Sequence, residues 1–226
     1  QNRMAVRALY AAGGRYETGA TPDAPLRELL HTAVLCNDAR LMKAEKSGTE
    51  IVQNDPTETA LLRIAQQKNL DPKALRVEQA RVAEIPFDSD RKRMSVSVRE
   101  SDGSRRVHLK GSVETVLPLC VGFRAADGEQ PMTDAHRSAV LDEVERMTGT
   151  ALRVLAFATK REAGDVIDET GMVFLGLIGM IDPPREGVTE AIATCHQAGV
   201  AVVMITSDHP NTAAAIAREI GLLRPG

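Results

Sequence analysis

Met94-Ser-Val-Ser-Val-Arg-Glu-Ser-Asp-Gly-Ser-Arg-Arg-Val-His-Leu-Lys110 alternates apolar and polar side chains on either side of a short polar turn. Met94, Val96 and Val98 recur at period two against Ser95, Ser97 and Arg99, the pattern of a strand with one apolar face. Ser101-Asp-Gly-Ser104 supplies a glycine-containing turn, and Arg106 to Lys110 completes a β-hairpin. On the second strand Val107 and Leu109 share one face, and His108 and Lys110 share the other. A polar face that carries a lysine beside Gly111 can form a pocket floor where a ligand approaches closely.

Just upstream lies Glu84-Ile-Pro-Phe-Asp-Ser-Asp-Arg-Lys-Arg93. It offers one aromatic ring, Phe87, followed by the cations Arg91, Lys92 and Arg93. A flat π-face with ammonium groups near it suits a purine nucleotide: the ring stacks the base and the cations meet the phosphates. The pairing points to ATP. Phe87 is the expected stacking residue, with Lys92, Lys110 and Gly111 near base and phosphates.

The rest of the chain mixes helices and strands. Val6 to Tyr10 reads as a strand ended by the Gly13-Gly14 turn. Leu26, Leu29, Leu30, Ala33 and Val34 recur at the helical period, giving a helix from Pro25 to Leu35. Asp55-Pro-Thr-Glu58 marks the start of a helix that runs to about Lys68, with Asp55 as N-cap and Glu58 completing a capping-box-like arrangement. Asp71-Pro72 starts a shorter helix. Helices are also expected from Ser112 to Leu119 and from Ala135 to Met147, the latter with Val140, Leu141, Val144 and Met147 inward. Val154 to Thr159 and Met172 to Ile181 read as strands. This order favours an α+β fold, an antiparallel sheet flanked by helices. After Asp182-Pro-Pro184 the character changes. A helix through Val188, Ala191, Ile192 and Cys195 ends at Gly199, an apolar run from Val200 to Thr206 reads as a buried strand, and a helix from Pro210 to Ile220 is closed by Gly221. That is an incomplete piece of a doubly wound α/β sheet.

Composition narrows the classes. The 226 residues are 43% apolar and 26% charged, as in an ordinary globular protein. A net charge of −3 argues against a broad nucleic-acid surface. The longest apolar run, Met172 to Ile181, is far shorter than the roughly 20 residues that span a bilayer. Cys36, Cys120 and Cys195 form neither a zinc pattern nor a disulfide framework, as expected of small buried residues in a reducing compartment. The five histidines, His31, His108, His136, His196 and His209, lack ligand spacing, and no metal site is expected. The opening Gln1-Asn-Arg-Met4 and the ending Leu223-Arg-Pro-Gly226 read as the ends of a piece of a longer protein.

Several ordered stretches resemble one family, the P-type cation-transporting ATPases, in their calcium-pump-like branch. They are Gln1-Asn-Arg-Met4, Asp55-Pro-Thr-Glu-Thr-Ala-Leu61, Pro86 to Val96, Lys110-Gly-Ser-Val-Glu114, Leu152-Arg-Val-Leu-Ala156, Asp182-Pro-Pro-Arg185 and Thr206-Ser-Asp-His-Pro210. The resemblance implies a nucleotide-binding domain over residues 5–181 and part of a phosphorylation domain of haloacid-dehalogenase type over residues 182–226. It implies the cytoplasmic domain of an integral membrane protein, with ATP and Mg2+ as cofactors. The implied partners are the remaining phosphorylation domain and the actuator and transmembrane domains. The phosphorylated aspartate would lie upstream of Gln1, so no catalytic residue is expected within the chain and the isolated piece should not turn over. Ser207 stands where the family usually has glycine, and a Cβ there can crowd a phosphate.

Several residues keep two readings. Glu58 either completes its cap or accepts a hydrogen bond from the adenine amino group. Arg153 either reaches a phosphate bidentately or forms a surface ion pair. Asp182 and Arg185 form a hinge that can contact ribose or phosphate. Thr206 and Asp208, at a strand end, lie where an α/β sheet binds phosphate, or Asp208 is only an N-cap. The rival to ATP binding is a non-catalytic interaction module that keeps the fold. A free-standing phosphatase requires a nucleophilic aspartate at a strand end, for which no segment is suited. The Val200–Thr206 strand has no sheet neighbours in this chain, so the tail is expected to pack atypically or to associate with a second copy.

Overall fold

A computed structural model describes residues 4–43, 50–53, 55–162, 164, 166–182, 187–206 and 210–223. The chain begins with β1 (Ala5–Ala11), β2 (Gly14–Tyr16), α1 (Ala24–Leu35), β3 (Arg40–Lys43), β4 (Glu50–Gln53), α2 (Pro56–Gln67) and α3 (Pro72–Glu78). It continues with β5 (Arg81–Asp88), β6 (Arg93–Arg99), β7 (Arg105–Gly111), α4 (Val113–Val116), β8 (Cys120–Ala125), β9 (Gly128–Pro131) and α5 (Asp134–Gly149). It closes with β10 (Arg153–Glu162), β11 (Met172–Ile181), α6 (Val188–Gln197) and α7 (Pro210–Glu219).

The predicted hairpin forms: β6 and β7 pair antiparallel, with Met94 opposite Lys110 and Val96 opposite His108. It sits inside a sheet of order β2-β1-β11-β10-β7-β6-β5. The pairing is antiparallel along this path. One pairing departs from the expected meander. β8 runs parallel to β11 at Met172–Phe174, on the edge that β1 leaves free beyond Gly176.

Both faces of the sheet are covered. On one, α1 and α2 lay Leu26, Leu29, Leu30, Leu61 and Ile64 against Phe157, Leu175 and Ile178. Met94, Val96 and Val98 join the same side beside Val34, Leu62 and Leu75. On the other, Val107, Leu109 and Phe174 pack against Val116, Phe123, Val140 and Met147. Burial on both faces explains why β11 is a continuous apolar run, every residue of it buried. It also places the polar face of β7 in the interior. His108 is 3% and Lys110 6% exposed, and His108 Nδ1 lies 2.8 Å from Thr32 Oγ1 of α1.

The helix starts follow their aspartates. Asp23, Asp55 and Asp71 accept from the backbone N–H groups of Leu26, Thr57 and Lys73. The helix expected from Ser112 to Leu119 is α-helical only to Val116 and continues as a 3-10 turn over Leu117–Leu119, because Pro118 has no N–H to extend the ladder. In α5 the expectation for Leu141 is overturned: it is 53% exposed, whereas Glu143 is buried. The inward stripe is Val140, Glu143 and Met147, spaced by three and four residues, and Leu141 lies off it. Arg15 Nε donates to the Glu143 carboxylate at 2.9 Å, and Arg146 Nε donates to it at 2.9 Å as well.

The tail is the main correction. α6 ends with Gly199 at φ 73°, as expected of a C′ glycine. Residues 200–206 form no strand, and Val203 and Ile205 are 79% and 94% exposed. A strand needs ladder partners along its length, and among the described residues no strand pairs with this segment. α7 instead docks on the domain through buried Ala217 and Ile220, with Arg7 and Glu219 paired at 3.2 Å. Arg185, Ser207, Asp208 and His209 lie outside the described residues.

Candidate functional site

One end of the sheet, where β5 and β7 finish and β10 begins, meets the first turn of α2 around a cavity of about 540 Å³. Glu58, Phe87, Lys92, Lys110, Gly111 and Arg153 all line it. Asp182 and Thr206, expected near phosphate, do not line this cavity.

Phe87 sits near the end of the edge strand β5, in the stretch where its pairing with β6 slips between Ile85 and Asp88. Its ring is 61% exposed, which for a large aromatic means that one face is free to take a partner. The turn after it is built by Asp88, whose Oδ1 accepts from the N–H groups of Asp90 and Arg91 at 2.9 Å each. Lys92 then takes a left-handed φ of 52° and lines the cavity. Arg91 and Arg93 do not. Both donate to Glu169, which also accepts from Ser95 Oγ at 2.8 Å. The expected cluster of three cations is thus divided. Strand alternation sends Arg93 and Ser95 to the face opposite Met94, where the Glu169 carboxylate accepts from both.

Glu58 does not complete the cap of α2. The cap of α2 is made by Asp55 alone, through Thr57 N–H at 2.6 Å. The Glu58 carboxylate instead points into the cavity: Lys110 Nζ donates to Oε1, and Asp38 N–H donates to Oε2 at 3.0 Å. Burial opposes ionisation of Asp55, yet hydrogen bonds from Thr57 and the Glu58 backbone outweigh it and hold its carboxyl below the usual range. Arg153, at the start of β10, is exposed and adds a cation to the same wall.

Residues 25–187 match the family model of the P-type ATPase cytoplasmic domain N. The chain belongs to the P-type cation ATPases. It is 38% identical to the cation-transporting ATPase pma1 of Synechocystis, over 100% of this chain and 28% of the relative. It is 38% identical to calcium-transporting ATPase 1 of Bacillus cereus, over 98% of this chain and 25% of the relative. It is likewise 38% identical to the calcium-transporting ATPase lmo0841 of Listeria monocytogenes, over 99% and 26%. The chain therefore spans about a quarter of the length of the relatives it matches.

In this P-type ATPase N domain Gly111, which lines the cavity, also has a task in the sheet. A Cβ there would fall 2.5 Å from Arg93 Cβ and 2.7 Å from the Lys92 carbonyl oxygen. The close approach that requires glycine is that of the neighbouring strand, and the cavity profits because the turn carrying Lys92 is drawn against its floor. Gly111→Ala is expected to lower stability by about 1–3 kcal/mol, as overpacking against backbone does. Chemical denaturation checks this, and an unchanged midpoint would refute it. Sequence reading also overlooked Asp38, Ser112, Val154 and Leu155 in the cavity wall. The polar pair Asn37-Asp38 directly after an apolar helix end was the available signal for the first. Ser112, Val154 and Leu155 lie within motifs that the sequence resemblance already marked.

Proposed function

We propose that the cavity binds ATP, and that in its full-length parent this domain presents ATP to an aspartate outside the sequence. The adenine lies against the free face of Phe87, with its amino group toward Glu58. Lys110 stands at the floor, and Lys92 and Arg153 meet the phosphates. The observation that carries the reading is the convergence of an exposed phenyl ring, three cationic side chains and a half-buried carboxylate on one cavity. Its volume of about 540 Å³ is within the usual range for a small-molecule site. Mg2+ is proposed to accompany the polyphosphate, as in enzymatic phosphoryl transfer generally.

The relatives are named as cation-transporting and calcium-transporting ATPases. On that basis the parent is proposed to be an ATP-driven cation pump anchored in a membrane. Among the described residues no helix is long and apolar enough to cross one. Residues 5–181 are proposed as the nucleotide-binding domain and 182–226 as part of a phosphorylation domain. The exposed 200–206 segment is expected to find its sheet partners in the rest of the parent, or in a second copy when the piece is isolated. Phosphoryl transfer would rest on positioning and charge stabilisation by groups supplied mostly elsewhere.

The test is a titration of the isolated domain with MgATP, followed by amide chemical shifts and calorimetry. Shifts are expected at Phe87, Lys92, Lys110 and Gly111. Phe87→Ala is expected to weaken binding by about tenfold, the scale of one base–aromatic stack. Equal affinity in the variant, or no shifts in these residues, would reject the reading in favour of a module that interacts without nucleotide.

A further inference from the structure

The turn after α1 grips Glu58 at two points. Asn37 Nδ2 donates to the main-chain carbonyl of Glu58 at 2.9 Å, and Asp38 N–H donates to its carboxylate Oε2 at 3.0 Å. Asn37 is 1% exposed, and its amide is fully engaged. Its second N–H goes to the Ala33 carbonyl at 3.2 Å, and its Oδ1 accepts from Ala39 N–H at 2.9 Å. The turn is itself held. Arg76 and Arg81 both donate to the Asn37 carbonyl oxygen, at 2.8 and 2.9 Å. Arg76 also takes the carbonyls of Val34 and Ala39.

Asn37 does not line the cavity, whereas Glu58 and Asp38 do. A glutamate has three side-chain torsions, and ordering them costs entropy unless other groups fix the carboxylate. Here Lys110 fixes one oxygen and the Asp38 N–H the other, and Asn37 joins the Asn37–Asp38 turn to the backbone from which Glu58 springs. We infer that Asn37 is a positioning residue for base recognition: it sets the register between the 37–38 turn and α2, so that the Glu58 carboxylate faces the exocyclic amino group of adenine. This rests on the reading of the cavity as an ATP site. A well-placed carboxylate accepts from an amino group and repels a carbonyl at the same position, so discrimination against inosine triphosphate is the direct measure of its placement.

The experiment measures MgATP and Mg-inosine triphosphate affinities by calorimetry for the parent, Asn37→Asp, Asn37→Ala and Arg76→Gln. Asn37→Asp keeps the shape, loses both donors and sets a carboxylate against two carbonyls. Parent protein is expected to prefer ATP by about tenfold or more, the scale of a hydrogen bond to a charged group. In the Asn37 variants ATP affinity falls and inosine triphosphate affinity does not, so the preference collapses. Arg76→Gln, remote from the cavity, shifts the preference the same way and by less. Equal loss for both nucleotides would mean that Asn37 only supports the fold, and an unchanged preference would mean that Glu58 is placed without it; either overturns the inference. Failure of the parent to bind ATP would strike the ATP reading itself, a separate outcome.

Discussion

Lys110→Met is expected to abolish measurable ATP binding and to destabilise the domain by about 3 kcal/mol, because it strands a carboxylate in a poorly solvated place. The side chains of Lys110 and Glu58 are only 8% and 15% exposed, so water cannot replace the lost ammonium well. The two effects separate in a second variant. Glu58→Gln combined with Lys110→Met removes the stranded charge and keeps an acceptor for the Asp38 N–H. Most of the stability is then expected to return, while ATP binding stays lost because the cation at the floor is gone. Calorimetric unfolding and ATP titration on the single and double variants give both quantities. A Lys110→Met protein that binds ATP like its parent would sink the site assignment. A double variant as unstable as the single one would show that the ion pair is not the source of the cost.

Acid is expected to weaken the fold through His108. Burial, aided by Arg106 and His31, pushes the imidazole down from its usual value to about 3. The groups around it are Glu28, His31 and Thr32 on α1, Thr159 opposite it on β10, Arg106 on its own strand, and Gln79 and Glu100, and among the described residues no carboxylate bonds to the ring. The folded state holds a neutral ring, whereas the unfolded chain takes up a proton below about pH 6.5. The unfolded state therefore binds more protons across this window, and stability falls as pH drops. The contribution is whole above about pH 6.5 and is lost progressively toward pH 3, with about 2 kcal/mol gone at about pH 5. Glu100 and Glu169 are also held below the usual carboxylate range, in each case by hydrogen bonds that outweigh the opposing effect of burial, and their losses begin at lower pH. His108→Gln, which keeps a partner for Thr32 and cannot titrate, is expected to flatten the stability curve between pH 7 and 5. Parallel curves for parent and variant would exclude His108 as the cause.

Much of the architecture is readable along the chain because it depends on local periods. The hairpin of β6 and β7 follows from alternating Met94, Val96 and Val98, and the starts of α2 and α3 follow from Asp-Pro pairs. What failed was tertiary in origin. Val200 to Thr206 has every local mark of a buried strand, yet burial is a property of neighbours, and among the described residues no strand pairs with it. Leu141 is exposed and Glu143 buried because the helical stripe is chosen by what α5 packs against, including Arg15 of β2, more than a hundred residues away.

The candidate site divides in the same way. The sequence by itself determined the inventory: a phenylalanine before a charged turn, a lysine beside a glycine, a glutamate in the first turn of a helix, an arginine opening a strand. Residue type and spacing suffice for that, because they decide which groups a segment carries and which face they occupy. Only the tertiary structure decided which of these groups are free. It engaged Arg91 and Arg93 with Glu169, set Glu58 against Lys110 and not in the cap, and placed the glycine at 111 against a neighbouring strand as well as the cavity. Charge and hydrogen-bonding capacity are spent on whatever lies within about 3 Å, and that is fixed by how distant segments meet.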